Sequence, residues 1–374
     1  MKRIGNLYSR ICSIENLELA DQIARKGKQN SYGIRLHDKN RKANIENLHR
    51  SLLDKTFKTS DYSLFNLKTD NGKVREIARL PYFPDRIVHH AVMNVLEPIW
   101  VSVFTQDTYS CIKGRGIHRA VRKLKTVLKS DLKGTKYCLK MDVRKFYPSV
   151  DHAILKQIIR KKIKDADLLW LLDEIIDSAA GVPIGNYLSQ YFANLYMAYF
   201  DHWVKEELHC KYYFRYCDDM VILGANKEDL HELHLLISEY LAKNLNLQVK
   251  GNWQVFPLDQ RGIDFLGYRF YHTHTLLRKS IKQAFARQCA KRDYPSMASY
   301  YGWASHCNSY NLLTKLNYEE IRAAWNQAGI DNDREQDKHY PDTEQGDNGP
   351  QFQNRREQVP EKQVGKMSSH ADRA

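Results

Sequence analysis

Two adjacent acids in Tyr216-Cys217-Asp218-Asp219 are the strongest candidates for chemistry in this chain. Apolar and aromatic runs flank them, Tyr212-Tyr213-Phe214-Arg215 before and Met220-Val221-Ile222-Leu223-Gly224 after, so they fall at the tip of a predicted hairpin. Neighbouring carboxylates between buried strands repel, unless a multivalent cation or another positive charge compensates them. The plain alternative is a solvated turn, where Asp is common. The chemical reading is half of a Mg²⁺ site for phosphoryl transfer. A second carboxylate lies about 75 positions upstream, where Asp142 ends the short apolar strand Tyr137-Cys138-Leu139-Lys140-Met141. If the two strands neighbour each other in one sheet, Asp142 and Asp218 can share two cations, with the Val143 carbonyl completing the coordination.

The elements around these acids are those of a sizeable folded body. A length of 374 residues allows two or three domains or subdomains. The 58 Lys+Arg against 44 Asp+Glu give a net charge of +14, unevenly spread. Residues 331–374 hold 7 basic and 10 acidic residues, so the body carries 51 against 34. That surplus favours a polyanionic partner, nucleic acid before membrane surface. With no long apolar run and no signal-peptide core, a soluble intracellular protein is expected. Seven cysteines without a C-x-x-C pair read as free thiols of a reducing compartment.

In chain order, residues 1–70 are polar with helical periodicity at Ile45, Leu48, Leu52 and Leu53, and Arg25-Lys26-Gly27-Lys28 reads as a solvated face. A turn at Asp70-Asn71-Gly72 joins strands over 62–67 and 74–80. Arg75, Arg79 and Arg86 in and after the second strand are exposed strand charges, or cations for a triphosphate. Helices are expected over 87–104, 151–164, 167–180, 187–208 and 227–246, with Ser189 and Gln190 in the first turn of the fourth. Gly262 to Tyr268 reads as one glycine-bounded strand, and 276–330 as basic and helical, with Tyr300, Tyr301, Trp303 and Tyr310 more suited to packing than to base stacking. From Asp331 on, composition predicts disorder.

Seven segments in this order resemble the reverse transcriptase family. Arg75 to Val92 is similar to its first motif, Tyr109 to Ala120 to the second, Tyr137 to Val150 to the third and Val182 to Gln190 to the fourth. Arg215 to Ile222 resembles its catalytic hairpin, Leu247 to Asn252 its lysine-bearing segment and Gly262 to Tyr268 its primer grip. The resemblance implies an α+β right-hand polymerase: an N-terminal helical extension over 1–60, fingers over 61–136, a palm over 137–270 with a helical insert at about 151–182, a thumb over 271–330 and a tail over 331–374. It implies RNA-directed DNA synthesis with two Mg²⁺, or Mn²⁺, held by Asp142, Val143, Asp218 and Asp219. It further implies Lys250 as proton donor to pyrophosphate and Tyr147 as a gate against a ribose 2′-hydroxyl. Arg75, Arg86, Ile184, Gly185 and Gln190 would meet the dNTP, and Phe265, Leu266 and Gly267 the primer.

Within the family, Ile184-Gly185-Asn186-Tyr187-Leu188-Ser189-Gln190 replaces the usual Gln-Gly followed three residues later by Ser-Pro. That form, and the stretch from Leu247 to Gly267, resemble the enzymes of diversity-generating retroelements. The resemblance implies template RNA and primer or cDNA as partners, errors opposite adenine, a small basic accessory protein, and a cytoplasmic setting in a prokaryote or phage without membrane attachment. The alternatives are a retron, group II intron-like or phage-defence reverse transcriptase and, further off, a non-catalytic RNA-binding protein on a polymerase fold.

Overall fold

Helical spacing of apolar residues organises the first quarter of the chain. In the computed structural model, which describes residues 3–68 and 74–327, helices α1 (Tyr8–Cys12), α2 (Ile14–Ala24), α3 (Tyr32–Asp38) and α4 (Arg41–Leu53) precede the first strand. Ile45, Leu48 and Leu52 fall on one helical face and are buried; Leu53, one step round the helix, is exposed. Arg25 departs from the solvated reading. It pairs with buried Asp21 at 2.9 Å, which also accepts from Arg41 at 2.6 Å and from the Tyr82 hydroxyl at 2.5 Å. One buried acid thus ties α2 and α4 to the chain segment that follows β2.

Strands β1 (Ser63–Lys68) and β2 (Val74–Arg79) pair antiparallel, from Ser63 opposite Arg79 to Lys68 opposite Val74. The Asp70-Asn71-Gly72 turn expected between them lies outside the described residues, as does the tail from 331. After a kinked turn at Tyr82–Arg86 come α5 (Ile87–Val101) and α6 (Ile117–Ser130). Then follow β3 (Tyr137–Asp142), α7 (His152–Arg160), α8 (Ala166–Asp177), α9 (Ser189–Glu206), β4 (Tyr212–Tyr216), β5 (Asp219–Gly224), α10 (Lys227–Leu245) and β6 (Gln254–Pro257). The four strands form one antiparallel sheet in the order β4-β5-β3-β6.

Because side chains alternate across a strand, that sheet has two apolar faces, and each has its own core. Leu139, Met141, Tyr213, Met220 and Ile222 join a core with residues of α5, α9 and α10. Cys138, Phe214, Val221, Leu223 and Phe256 join a second one with α6 and the C-terminal elements. Lys140, Asp142 and Asp219 share the second face, at the end where the core stops.

The segment expected as one strand from Gly262 to Tyr268 is instead a hairpin. After a short α11 (Leu258–Arg261), β7 (Ile263–Phe265) and β8 (Tyr268–Phe270) pair antiparallel, and β9 (Thr275–Leu277) adds a third strand, so this sheet runs across residue 270. The reversal falls at Leu266 and Gly267, whose φ values are 50° and 82°. A Cβ on Gly267 would stand 2.2 Å from the Trp303 ring, so only glycine fits this turn.

Helices α12 (Lys279–Lys291), α13 (Tyr294–Ala304), α14 (Tyr310–Lys315) and α15 (Tyr318–Gln327) close the described chain. Tyr300 stacks on Phe285, Tyr301 on Tyr318 and Trp303 on Tyr268, while Tyr310 is 80% exposed. All seven cysteines are free, and no helix among the described residues is long and apolar enough to cross a membrane.

Candidate active site

Only Cys217 and Asp218 separate β4 from β5, so the turn is tight and Cys217 takes a left-handed φ of 54°. Such a conformation costs energy for a residue with a side chain and needs support. The Cys217 sulfur contacts the Ser110 and Tyr147 hydroxyls, and the Cys217 carbonyl accepts from Arg215 Nη1 at 3.0 Å. Arg215 is itself fully buried. Its Nε and Nη2 donate to the two oxygens of Asp201 in α9 at 2.7 and 2.5 Å. Tyr213 and Thr108 hydroxyls add bonds of 2.6 and 2.8 Å to the same carboxylate. Asp201 has no place among the residues expected from sequence. The available signal was Arg215 itself, a cation in an aromatic strand that needs a buried acid.

Asp142 and Asp219 are cross-strand partners, and the Val143 N–H donates to the Asp218 carbonyl at 3.2 Å. Burial, then the adjacent Asp142 charge, push the Asp218 carboxyl above the ordinary carboxylate range, against the opposing pull of Lys250. Lys250 is bonded to Asp142 twice over, Nζ to Oδ2 at 2.6 Å and backbone N–H to the carbonyl at 2.8 Å. The other carboxyl oxygen, Asp142 Oδ1, is buried with no hydrogen-bond partner. Asp219 pairs with Lys140; burial raises its carboxyl and Lys140 opposes the rise.

These groups fit a hard divalent cation. The Arg144 N–H reaches Gln248 and the Lys250 N–H reaches Asp142, so ladder alternation turns the Val143 carbonyl toward the Asp218 side. Two carboxylates, one of them with an orphaned buried oxygen, and one carbonyl make an oxygen-only donor set. No group of three or more acidic, His or Cys side chains gathers as a metal cluster among the described residues. A partial set of this kind suits Mg²⁺, which is commonly held by one or two carboxylates and completed by substrate phosphates and water.

Tyr147 is drawn to the same place through Cys217, and burial pushes its hydroxyl far up. Arg75 and Arg79 are exposed on β2, Arg79 lying over the Phe65 ring, whereas Arg86 is half-buried with an unpartnered Nε. Burial lowers Arg86, and the nearby Lys28, not singled out from its basic run, is lowered by burial and then by Arg86. Gln190 is exposed at the start of α9 and Ser189 is buried. The Ile184 carbonyl accepts from the Ala78 N–H at 2.8 Å, docking 184–186 on β2. Phe265, Leu266 and Gly267 turn inward, with Phe265 0% exposed. At that turn the hairpin has only backbone to offer.

Gly185 holds φ at 124°, and a Cβ there would lie 2.3 Å from the Ala78 carbonyl. Gly185→Ala is therefore expected to cost about 1–3 kcal/mol locally and to loosen β2. Faster hydrogen exchange at 74–79, with the remaining amides unchanged, is the expected reading.

A family model described as reverse transcriptase (RNA-dependent DNA polymerase) matches residues 66–270. Protein YkfC of Escherichia coli is 30% identical over 149 residues, 36% of this chain and 39% of that protein. The group II intron-encoded protein LtrA of Lactococcus lactis subsp. cremoris is 26% identical over 171 residues, 43% of this chain and 28% of that one. This chain thus matches well under half the length of these relatives. Among solved structures, a telomerase from Candida tropicalis in complex with a TWJ fragment of telomeric RNA aligns with a TM-score of 0.47 and 13% identity, covering 77% of this chain and 58% of that chain.

Proposed function

This chain belongs to the reverse transcriptase family, with its mixed α+β right-hand polymerase fold, and from that premise we propose that it copies RNA into DNA at Asp142 and Asp218. The observation that carries the proposal is the buried, unpartnered Asp142 Oδ1 beside the Asp218 carboxyl, a crowding of negative charge that cations would relieve.

When bound, two Mg²⁺, or Mn²⁺, supply the positive charge that activates a primer 3′-hydroxyl and neutralises a triphosphate and its leaving pyrophosphate. Asp142, Asp218 and the Val143 carbonyl would hold them, while Asp219, the remaining candidate ligand, is engaged by Lys140 and tunes its neighbour Asp218. Lys250, kept at the site by Asp142, gives a proton to the pyrophosphate. Arg75 and Arg86 grip the triphosphate, and Tyr147 stands against a ribose 2′-hydroxyl. Ile184, Gly185 and Gln190 line the nucleotide, and the backbone of 265–267 borders the primer. In this reading 1–60 is an N-terminal extension, 61–136 are fingers, 137–270 palm with the insert at about 151–182, and 271–330 thumb. The basic body grips template and primer by their phosphates, with a steep salt dependence.

Extension of a DNA primer on an RNA template by the purified chain, with dNTPs and Mg²⁺, tests the proposal. DNA product that disappears with EDTA is expected. Absence of extension on both homopolymer and mixed templates would sink it.

The form of residues 184–190 supports the finer reading, an error-prone enzyme of a diversity-generating retroelement that works in the cytoplasm of a prokaryote or phage host with a small basic accessory protein. The relatives favour a second reading, a group II intron-like enzyme. Fidelity separates them. Ile184→Gln is expected to reduce misincorporation opposite adenine by about tenfold, since one lost discriminating contact is worth a few kcal/mol at most. Sequenced products with equal adenine errors in parent and variant would favour the second reading.

A further inference from the structure

The two adjacent acids of the turn do not face the same neighbours. Asp218 faces Asp142, with Lys250 behind it. Asp219 is paired with Lys140, and the charge of Arg278 also acts on it. Lys140 lies two residues before Asp142 on β3 and shares its face of the sheet. The same ammonium sits 5.1 Å from the centre of the Phe265 ring, at the end of β7. Arg278 reaches that hairpin from the other side, Nε to Asp264 at 2.6 Å and N–H to the Gly267 carbonyl at 2.8 Å.

We propose that Lys140 is a positioning residue for nucleotidyl transfer: it holds Asp219 away from the cation-binding pair and locks the acids to the 263–270 hairpin, setting the reach from that pair to the primer end. The proposal rests on the reading of Asp142 and Asp218 as that pair. A lysine suits the task because its compact charge can be shared by a carboxylate and the face of a ring. Without it, Asp219 would be a third carboxylate at the site with only the charge of Arg278 acting to offset it, free to draw a cation off the productive position. A stability role is a poor explanation, since both partners keep a quarter or more of their side-chain surface in water, where ion pairs contribute little. Misplacement of the primer end by an ångström, in contrast, costs orders of magnitude in rate.

Four full-length variants test this: Lys140→Met, Lys140→Arg, Asp219→Asn, and Lys140→Met combined with Asp219→Asn. Lys140→Met is expected to lower kcat for single-nucleotide addition by about 10-fold or more, with the KM for dNTP within about twofold. In protein without added cation, its amides at 263–270 should exchange faster while Tm stays near that of the parent. Lys140→Arg should recover most of the rate, and the double variant should be no slower than Lys140→Met, because both substitutions break one linkage. Parental kcat in Lys140→Met, unchanged exchange at 263–270, or multiplying losses in the double variant would each overturn the proposal. Asp218→Asn, run alongside, separates the two levels. If it is inactive while Lys140→Met is fast, only the positioning role falls; if it is active, the cation-binding pair falls and Lys140 with it.

Discussion

Asp218→Asn is expected to lower DNA synthesis by about 10³-fold or more while raising, not lowering, the melting temperature measured in EDTA. The two effects come from one cause. At neutral pH the folded chain holds Asp142 and Asp218 together, and burial with the Asp142 charge makes the second carboxylate costly to ionise. In the unfolded chain that cost is absent, so the ionised pair weakens folding, and a neutral amide of the same shape removes the penalty. The same amide withdraws a charged oxygen from the cations, and transition-state stabilisation of several kcal/mol is lost, each 1.36 kcal/mol being tenfold in rate. Mg²⁺ should accordingly raise the melting temperature of the parent and do little for the variant. Single-turnover extension and thermal scans with and without Mg²⁺ check both halves. A variant that keeps a tenth of the activity, or melts several degrees lower in EDTA, would count against this view of the site.

Those acids were legible because Asp142 ends a strand and Asp218 lies in the tight turn between two, and such boundaries can be read from alternation and apolar runs. Their meeting also follows from the sheet, since β3 beside β5 makes Asp142 the partner of Asp219. What escaped reading has the opposite character. Phe265-Leu266-Gly267-Tyr268 looks like continuous apolar strand, and only the packing of Trp303 against the glycine shows why the chain must reverse there. For the same reason the sequence does not show that the Phe265 ring completes the second core. Lysines carry even less local information. Lys250 was singled out by its place in a resembling motif, while Lys140 and Lys28 look like any solvated lysine until the fold sets them beside Asp219 and Arg86. Asp201 sits in a mostly apolar helix, where an acid among apolar residues signals burial but not its partner.

Asp201→Ala is expected to cost about 3–5 kcal/mol, enough to depress the melting temperature by about 10 °C or to leave the chain insoluble. The Arg215 guanidinium is fully buried and, among the described residues, its ion pair is with Asp201; truncating the acid strands that charge, together with the Tyr213 and Thr108 hydroxyls. Replacing both partners by apolar groups, as in Asp201→Leu with Arg215→Met, avoids the stranded charge and should restore most of the stability, because a buried ion pair gains little over well-packed hydrocarbon. The double variant still lacks the bond from Arg215 to the Cys217 carbonyl, which helps hold the left-handed turn that presents Asp218. It should therefore fold nearly as well as the parent yet extend primers about 10-fold more slowly or worse, the loss lying in kcat. A double variant as fast as the parent would show that the turn keeps its geometry without Arg215, and that the buried pair serves the core alone.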